Sequence, residues 1–456
     1  MSSPTASPAL PEKVEKIYQV GTLRYTQQDI YVLFFWLMWN DFTITLLEQV
    51  HFLVAFLYKD YGASNAQIAT FGSIAGLIGM WINPWCSTWS DRARTKYGRR
   101  RPFIFFATPF FALFLMLIPF MPEFYRTLAQ FPLAAGLFDL IPIKGEVLFI
   151  FICGFVAGCF NSMVLAIFSY LYWDVVPANL LGRFNALAKI ITCLAAFTWN
   201  YFFFGLGEHH MKEVFVGVSL FCLVFYLIST WQIKEGEYPP PDEHKKGGGL
   251  APLRAYFVEC FGQPYFLWIF LGFALYQLNN LAMQYQNFYM HYDLGLSLDS
   301  IGKMRALPLV ISMVLAFAIG AMADRFNPVR LLAPAYVIWG AMYLAGYFFV
   351  QGQWSFLLLV TGTSLMTTVC SIVTSALTVR IYPIEKLGQF CSASAISQQL
   401  LCGLAAPFMG YFFDLTSNRI AFLWSAFFLF AAGFIFLKVY SNWEKRHGHA
   451  PLPHAG

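Results

Sequence analysis

Charge is what this 456-residue sequence has least of: Asp, Glu, Lys and Arg together supply 12% of it. A soluble domain carries about 25%. Hydrophobic residues reach 58%, aromatics 19%, and mean hydropathy is +0.58, so a water-facing globule is excluded. The net charge is only +5, and the cations sit in a few short segments, so no nucleic-acid partner is indicated. The nine cysteines show neither CxxC nor Cys/His spacing, which points away from disulfides and from a metal site. No HExxH, DxD, phosphate-loop or Ser/His/Asp pattern occurs, so an enzyme is not expected. Residues 1–29 are polar and the first apolar run is too long for a signal-peptide core, so no cleaved leader is expected. The tails are too short for the signalling domain of a sensor.

Long apolar runs are what the sequence does have. They fall at about 30–57, 66–89, 103–121, 147–173, 184–206 and 214–232, then at about 264–290, 298–322, 331–350, 355–379, 389–413 and 420–440. Each suits one crossing of about 20 residues. The expected fold is an all-α membrane protein of twelve transmembrane helices in two parallel six-helix halves. Its organisation is a cytoplasmic tail over 1–29, loose and ending in a short amphipathic turn, and a first half over 30–232. A Pro-, Lys- and Gly-rich cytoplasmic linker over 233–263, a second half over 264–440 and a cytoplasmic tail over 441–456 follow.

Orientation comes from Ser90-Asp91-Arg92-Ala93-Arg94-Thr95-Lys96-Tyr97-Gly98-Arg99-Arg100-Arg101-Pro102, a loop crowded with cations between two apolar runs. Such a loop faces the cytoplasm. Counting from it puts Lys13, Lys16, Arg24, Arg183, Lys234, Lys245, Lys246, Arg254, Arg325, Arg330, Arg380, Lys386, Lys445 and Arg446 inside as well. Only Lys59, Arg126, Lys144, Lys212 and Arg419 remain outside. Both termini are therefore expected in the cytoplasm of a multi-pass cell-membrane protein.

The halves repeat one another. Asp60-Tyr61-Gly62-Ala63-Ser64 matches Asp293-Leu294-Gly295-Leu296-Ser297 (293 − 60 = 233), and Asp91-Arg92 matches Asp324-Arg325 (324 − 91 = 233). Further on, Pro177 to Gly182-Arg183-Phe184 matches Pro383 to Gly388-Gln389-Phe390 (383 − 177 = 206). Two repeats with a site between them at mid-membrane is a transporter plan.

The repeated Asp-Arg loops, the central linker and the twelve spans resemble the major facilitator superfamily. Asp91-Arg92 followed by Tyr97-Gly98-Arg99-Arg100-Arg101-Pro102 resembles the sucrose transporters and the glycoside–pentoside–hexuronide:cation symporters. Asn40-Asp41-Phe42, Tyr58 to Ser64, Asp174-Val175-Val176-Pro177 and Gly182-Arg183 are similar to the second group. Two positions depart: Ser87 stands where the superfamily loop usually has glycine, and Ser169 where melibiose-type members carry an acid. That acid is either lost or moved to Asp174. The resemblance implies that Asp91, Arg92, Asp324 and Arg325, with Arg99 and Arg100 in the same basic loop, latch and release helices during alternating access. It also makes Asp41, beside Asn40 and Trp39, the sugar-contacting acid.

Charges inside a membrane are costly and mark function. Asp41, Thr45 and Glu48 lie at i, i+4 and i+7 on one helix face. Two acids so placed suit a proton carrier, because repulsion and desolvation favour a protonated carboxyl. They suit sugar hydroxyls as well, since a carboxylate accepts two donors; alternatively one acid pairs with a cation and only holds helices together. Glu48 is the expected proton site. Gln277, Asn280, Gln284, Asn287 and His291 form an amide-rich stripe on the seventh span, matched to the donors and acceptors of a polyol. Lys189, with Asn185 and Thr192, either snorkels to the cytoplasmic surface or pairs with Asp174 or Asp41. Arg305 either counters Glu48 across the halves or reaches the outer headgroups. Ser364, Thr367, Ser371, Thr374 and Thr378, like Gly72-x3-Gly76, read as packing seams.

The expected activity is secondary active transport, as proton-coupled uptake of a disaccharide-like glycoside by a monomer in the lipid bilayer. No cofactor beyond the coupling ion, expected to be H⁺, is anticipated. Sodium coupling, export of a small amphiphile and a membrane sensor remain as alternatives.

Overall fold

The computed structural model describes residues 17–131, 142–177, 180–236, 250–325, 328–382 and 386–447. The side chains of Asp91, Arg92, Asp324 and Arg325 lie outside the described residues, as does that of Ser87. A hairpin, β1 (Tyr18–Val20) with β2 (Leu23–Tyr25), precedes the first helix where a loose turn was expected. Three-residue strands carry too little alternation to be read from sequence.

The first half contains α1 (Gln27–Asp60), α2 (Asn65–Arg92), α3 (Arg101–Leu117), the short α4 (Met121–Leu128), α5 (Gly145–Val175), α6 (Leu181–Thr198) and α7 (Met211–Gln232). After α8 (Leu250–Phe261) in the linker, the second half contains α9 (Pro264–Phe288), α10 (Leu298–Arg325), α11 (Pro328–Phe349), α12 (Gln353–Ile381), α13 (Leu387–Leu415) and α14 (Ala421–His447). A reciprocal Thr26–Asp29 cap opens α1: the Thr26 hydroxyl accepts from the Asp29 amide, and the Asp29 carboxylate accepts from the Thr26 amide.

Among the described residues, nine helical spans are long and apolar enough to cross a membrane. The three remaining long helices, α2, α10 and α13, do most of the packing between halves: α2 lies along α13, and α10 meets α6. Helices that face a partner instead of lipid need fewer apolar residues and more small ones. Gly410 of α13 shows why: a Cβ there would stand 2.4 Å from the Asn65 carbonyl oxygen, so no larger residue allows that approach. Gly302 of α10 meets the Asn200 carbonyl in the same way, at 2.3 Å.

Every described hydrogen bond between the halves lies toward the end opposite the basic loop. Asp414 of α13 accepts from the amides of Asn65 (2.7 Å) and Ala66 (2.8 Å), the first residues of α2. Glu208 accepts from the amide of Leu298 (2.8 Å), the first residue of α10. The Tyr292 hydroxyl donates to Asp60 at 3.0 Å, and Asn65 donates to Asn418 at 3.1 Å. Phe56 packs edge-on against Phe288 (5.1 Å) and His291 (5.5 Å), plugging the seam between α1 and α9.

At the basic end, the ion pairs among the described residues join groups of one half or its linker. Arg99 (2.9 Å) and Arg100 (3.1 Å) hold Asp174 at the end of α5, and Arg100 also reaches the Ser90 hydroxyl. Glu235, just past α7, accepts from the backbone amides of Arg99, Arg100 and Arg101 at 2.7 to 3.1 Å. A carboxylate on the first amides of a helix satisfies donors the helix cannot. On the other side Lys386 pairs with Glu259 at 3.0 Å, entirely within the second half and its linker. The described hydrogen bonds thus shut the molecule at the end opposite the basic loop.

Candidate functional site

Below the Phe56 plug, α1 turns Ile44, Glu48 and His51 outward from its own bundle, at i, i+4 and i+7. Opposite stands α9, whose half-buried residues include Gln277, Asn280 and Gln284, the amides singled out from the sequence. The amide nitrogen of Gln284 reaches the Phe52 carbonyl of α1 at 3.4 Å, so these two faces meet where the seam begins. Asn280 donates to Gln277 at 2.6 Å, which orients both amides. Asn287 is buried, and His291 bonds the Leu296 carbonyl at 2.9 Å in the closing turn. Neither belongs to the open face.

The acids occupy different settings. Asp41 is half-buried: one oxygen accepts from the Tyr172 hydroxyl of α5 at 3.1 Å, and the other is buried without a partner. Glu48 is exposed, and the cation whose charge acts on it is Lys189 of α6, itself exposed. Lys189 therefore stands neither with Asp174 nor with Asp41. His51 bonds the Leu47 carbonyl through Nδ1 at 2.9 Å. A carbonyl only accepts, so Nδ1 carries a proton, and in the neutral ring Nε2 is then an acceptor.

Several expected residues stand elsewhere. Asn40 is fully buried and accepts from the Ser229 hydroxyl of α7 at 2.6 Å, because a step of one residue turns a helix side chain by a quarter turn or more. Trp39 stacks on Phe42 (5.4 Å) and lines a lateral apolar cleft of about 570 Å³ between α1, α6 and α7. The Thr45 hydroxyl donates to the Asp41 carbonyl at 2.9 Å, so it is engaged on its own helix. Arg305 does not counter Glu48: its guanidinium lies in the second half near Tyr343, with Nε buried and unpartnered. Asp174 is held by Arg99 and Arg100 at the basic end, apart from Asp41 and Glu48. On α12, Thr367 and Thr378 donate to carbonyls one turn back on the same helix, which satisfies them locally. The Gly72-x3-Gly76 seam holds only in part: a Cβ on Gly76 would meet Gln399 of α13 at 3.5 Å, whereas one on Gly72 would meet nothing within 4 Å.

His51 and Tyr172 were not anticipated. His51 continues the Glu48 face by one turn, a signal that was present. Tyr172 gave none, because pairing across helices leaves no local pattern.

Comparison with known proteins agrees with this architecture. No curated protein matches the sequence. Among solved structures, a bacterial homologue of the iron transporter ferroportin in an inward-facing state aligns with a TM-score of 0.64 at 14% identity, covering 90% of this chain and 99% of its own. The nucleoside transporter NupG aligns at 0.61 and 13%, covering 90% and 99%. The inward-open xylose transporter XylE from E. coli aligns at 0.57 and 14%, covering 90% and 95%. At such identities these likenesses speak for the fold alone. The sequence also matches the MFS/sugar transport protein family over residues 37–383. The chain therefore belongs to the MFS/sugar transport family: it is a multi-pass, all-α membrane transporter of the major facilitator type, and not an enzyme.

Proposed function

We propose that this transporter is a proton-coupled symporter that brings a disaccharide-like glycoside into the cell. The observation that carries the reading is the facing of Glu48 on α1 by the amide face of α9, directly below the sealed end. In this reading the basic loop and both termini are cytoplasmic, the membrane is the cell membrane, and the structure is the inward-open state of a monomer. Asp41 and the amides of Gln277, Asn280 and Gln284 bind sugar hydroxyls. Glu48 carries the proton, and Lys189, in place of Arg305, supplies the countercharge once the proton leaves. No resident cofactor takes part.

Alternating access then needs two alternating seals. Sugar and proton enter from outside, the halves rock, and the seal at Asp60, Asn65 and Leu298 forms while the basic end parts. Purified protein in vesicles, given labelled disaccharides with and without an imposed pH gradient, tests the proposal. Accumulation should follow the pH gradient. Accumulation that follows a sodium gradient alone overturns the coupling, and absence of any disaccharide uptake overturns the substrate class.

A further inference from the structure

The first half contains a recess that the site above does not use. It encloses about 250 Å³ between α1, α2, α3 and α5, one turn along α1 from Glu48. An apolar cavity of about 150 Å³ suffices for benzene. Phe71 and Phe151, stacked with ring centroids 4.3 Å apart, form one wall, and Phe155 and Tyr58 extend it. Two glycines keep the space open: Gly72 on α2 and Gly158 on α5 both line it, and a Cβ on either would meet nothing within 4 Å. Two polar groups border it. His51 lines it, with Nδ1 already bonded to the Leu47 carbonyl, and Asn161, 8% exposed, has an amide oxygen without a hydrogen-bond partner.

We infer that this recess is an aglycone subsite, and that the preferred substrate is an aryl glycoside whose aromatic ring enters it while the sugar stays between α1 and α9. The inference rests on the proposed glycoside reading. A sugar ring in the recess would leave most of its hydroxyls unpaired, at several kcal/mol by transfer data. A nucleobase would face the same difficulty. A hydrocarbon ring needs no partner, and stacking on Phe71 and Phe151 suits it. His51 stands at the junction, where its Nε2 accepts from a hydroxyl near the glycosidic bond. Asn161 gives a ring substituent a polar partner at the far wall.

The test uses full-length reconstituted protein, with ligand-induced thermal stabilisation and inhibition of labelled-disaccharide exchange as readouts. The probes are methyl glycosides, the matching phenyl glycosides, and benzyl alcohol as a sugar-free ring. Phenyl glycosides should bind at least about tenfold more tightly than methyl glycosides. Gly158→Leu, which fills the recess where the backbone leaves room, should remove that advantage while leaving methyl-glycoside affinity within about twofold. Should Gly158→Leu fold poorly, Phe155→Ala enlarges the same space and should favour naphthyl over phenyl glycosides. Equal affinity for phenyl and methyl glycosides in the parent overturns the subsite, as does a Gly158→Leu defect shared by both. If no sugar binds yet benzyl alcohol stabilises the parent and not Gly158→Leu, the recess stands and the glycoside reading falls. If no probe binds, both fall.

Discussion

The two ends of the molecule use the same chemistry on different partners. At the basic end Glu235 accepts from the first amides of α3, within its own half. At the sealed end Asp414 accepts from the first amides of α2, and Glu208 from that of α10, each across the boundary between halves. The crossing pair is symmetric. Leu298 follows Asn65 by 298 − 65 = 233 and Asp414 follows Glu208 by 414 − 208 = 206, the two offsets that relate the repeats. A carboxylate at the end of the fifth span of each half thus caps the second span of the other half. The difference teaches which contacts move. Capping within a half makes a rigid body, whereas capping between halves makes a seal that breaks when they rock.

The largest effect is expected between the ends. Glu48→Gln, a neutral isostere, should abolish accumulation driven by a pH gradient yet retain sugar exchange, because the site keeps its shape and loses its titrating group. Both are measured in the same vesicles. Persistent accumulation moves the proton to Asp41 or Asp174, and loss of exchange as well makes Glu48 a binding residue.

Next comes the rigid end. Asp174→Asn should remove the carboxylate that Arg99 and Arg100 share, at a cost of about 2–3 kcal/mol. The melting temperature should fall while the ratio of the two access states stays constant. A changed ratio at unchanged stability would show that this cluster moves after all.

Much of the architecture was legible in sequence because it rests on composition and period. Apolar runs give spans, and the offsets 233 and 206 give the repeat. The amides Gln277, Asn280 and Gln284 were legible from helical spacing, whereas the expected Asp41–Thr45–Glu48 face gives way to Ile44, Glu48 and His51. What spacing does not give is the neighbour. Trp39, Asn40 and Asp41 are adjacent in sequence yet meet a lateral cleft, a serine of α7 and a tyrosine of α5. Arg305 was the expected countercharge of Glu48 and Lys189 the expected partner of Asp174 or Asp41, yet packing sets Lys189 near Glu48. Asp414 and Glu208 read as end-of-helix acids because their partners are backbone amides in the other half.

The seal itself should respond more gently. Asp414→Asn removes a charge facing a helix N-terminus and weakens two hydrogen bonds, about 1–2 kcal/mol, or about tenfold in population. Distances between spin labels on α2 and α13 beside the seal should show more of the state in which that end is open. Glu208→Gln should act alike with one amide fewer, and an unchanged distribution in both would mean that these caps do not hold the seal.

The smallest effect belongs to Tyr292→Phe, which deletes one hydrogen bond to Asp60 at the exposed rim of the seal. Net contributions of such bonds run about 0.5–1.5 kcal/mol, and water access puts this one at the low end, roughly twofold in population. A shift that small is invisible when one state dominates, so it is best read on the Asp414→Asn background, where the equilibrium lies closer to even. Tyr292 and Asp414 share no hydrogen-bond partner, and independent sites add. The double variant should therefore exceed Asp414→Asn by that same twofold. A shift from Tyr292→Phe larger than that of Asp414→Asn would place the hold of the seal in the α1–α9 seam, at Asp60 and the Phe56 plug. The symmetric caps would then follow the closure instead of driving it.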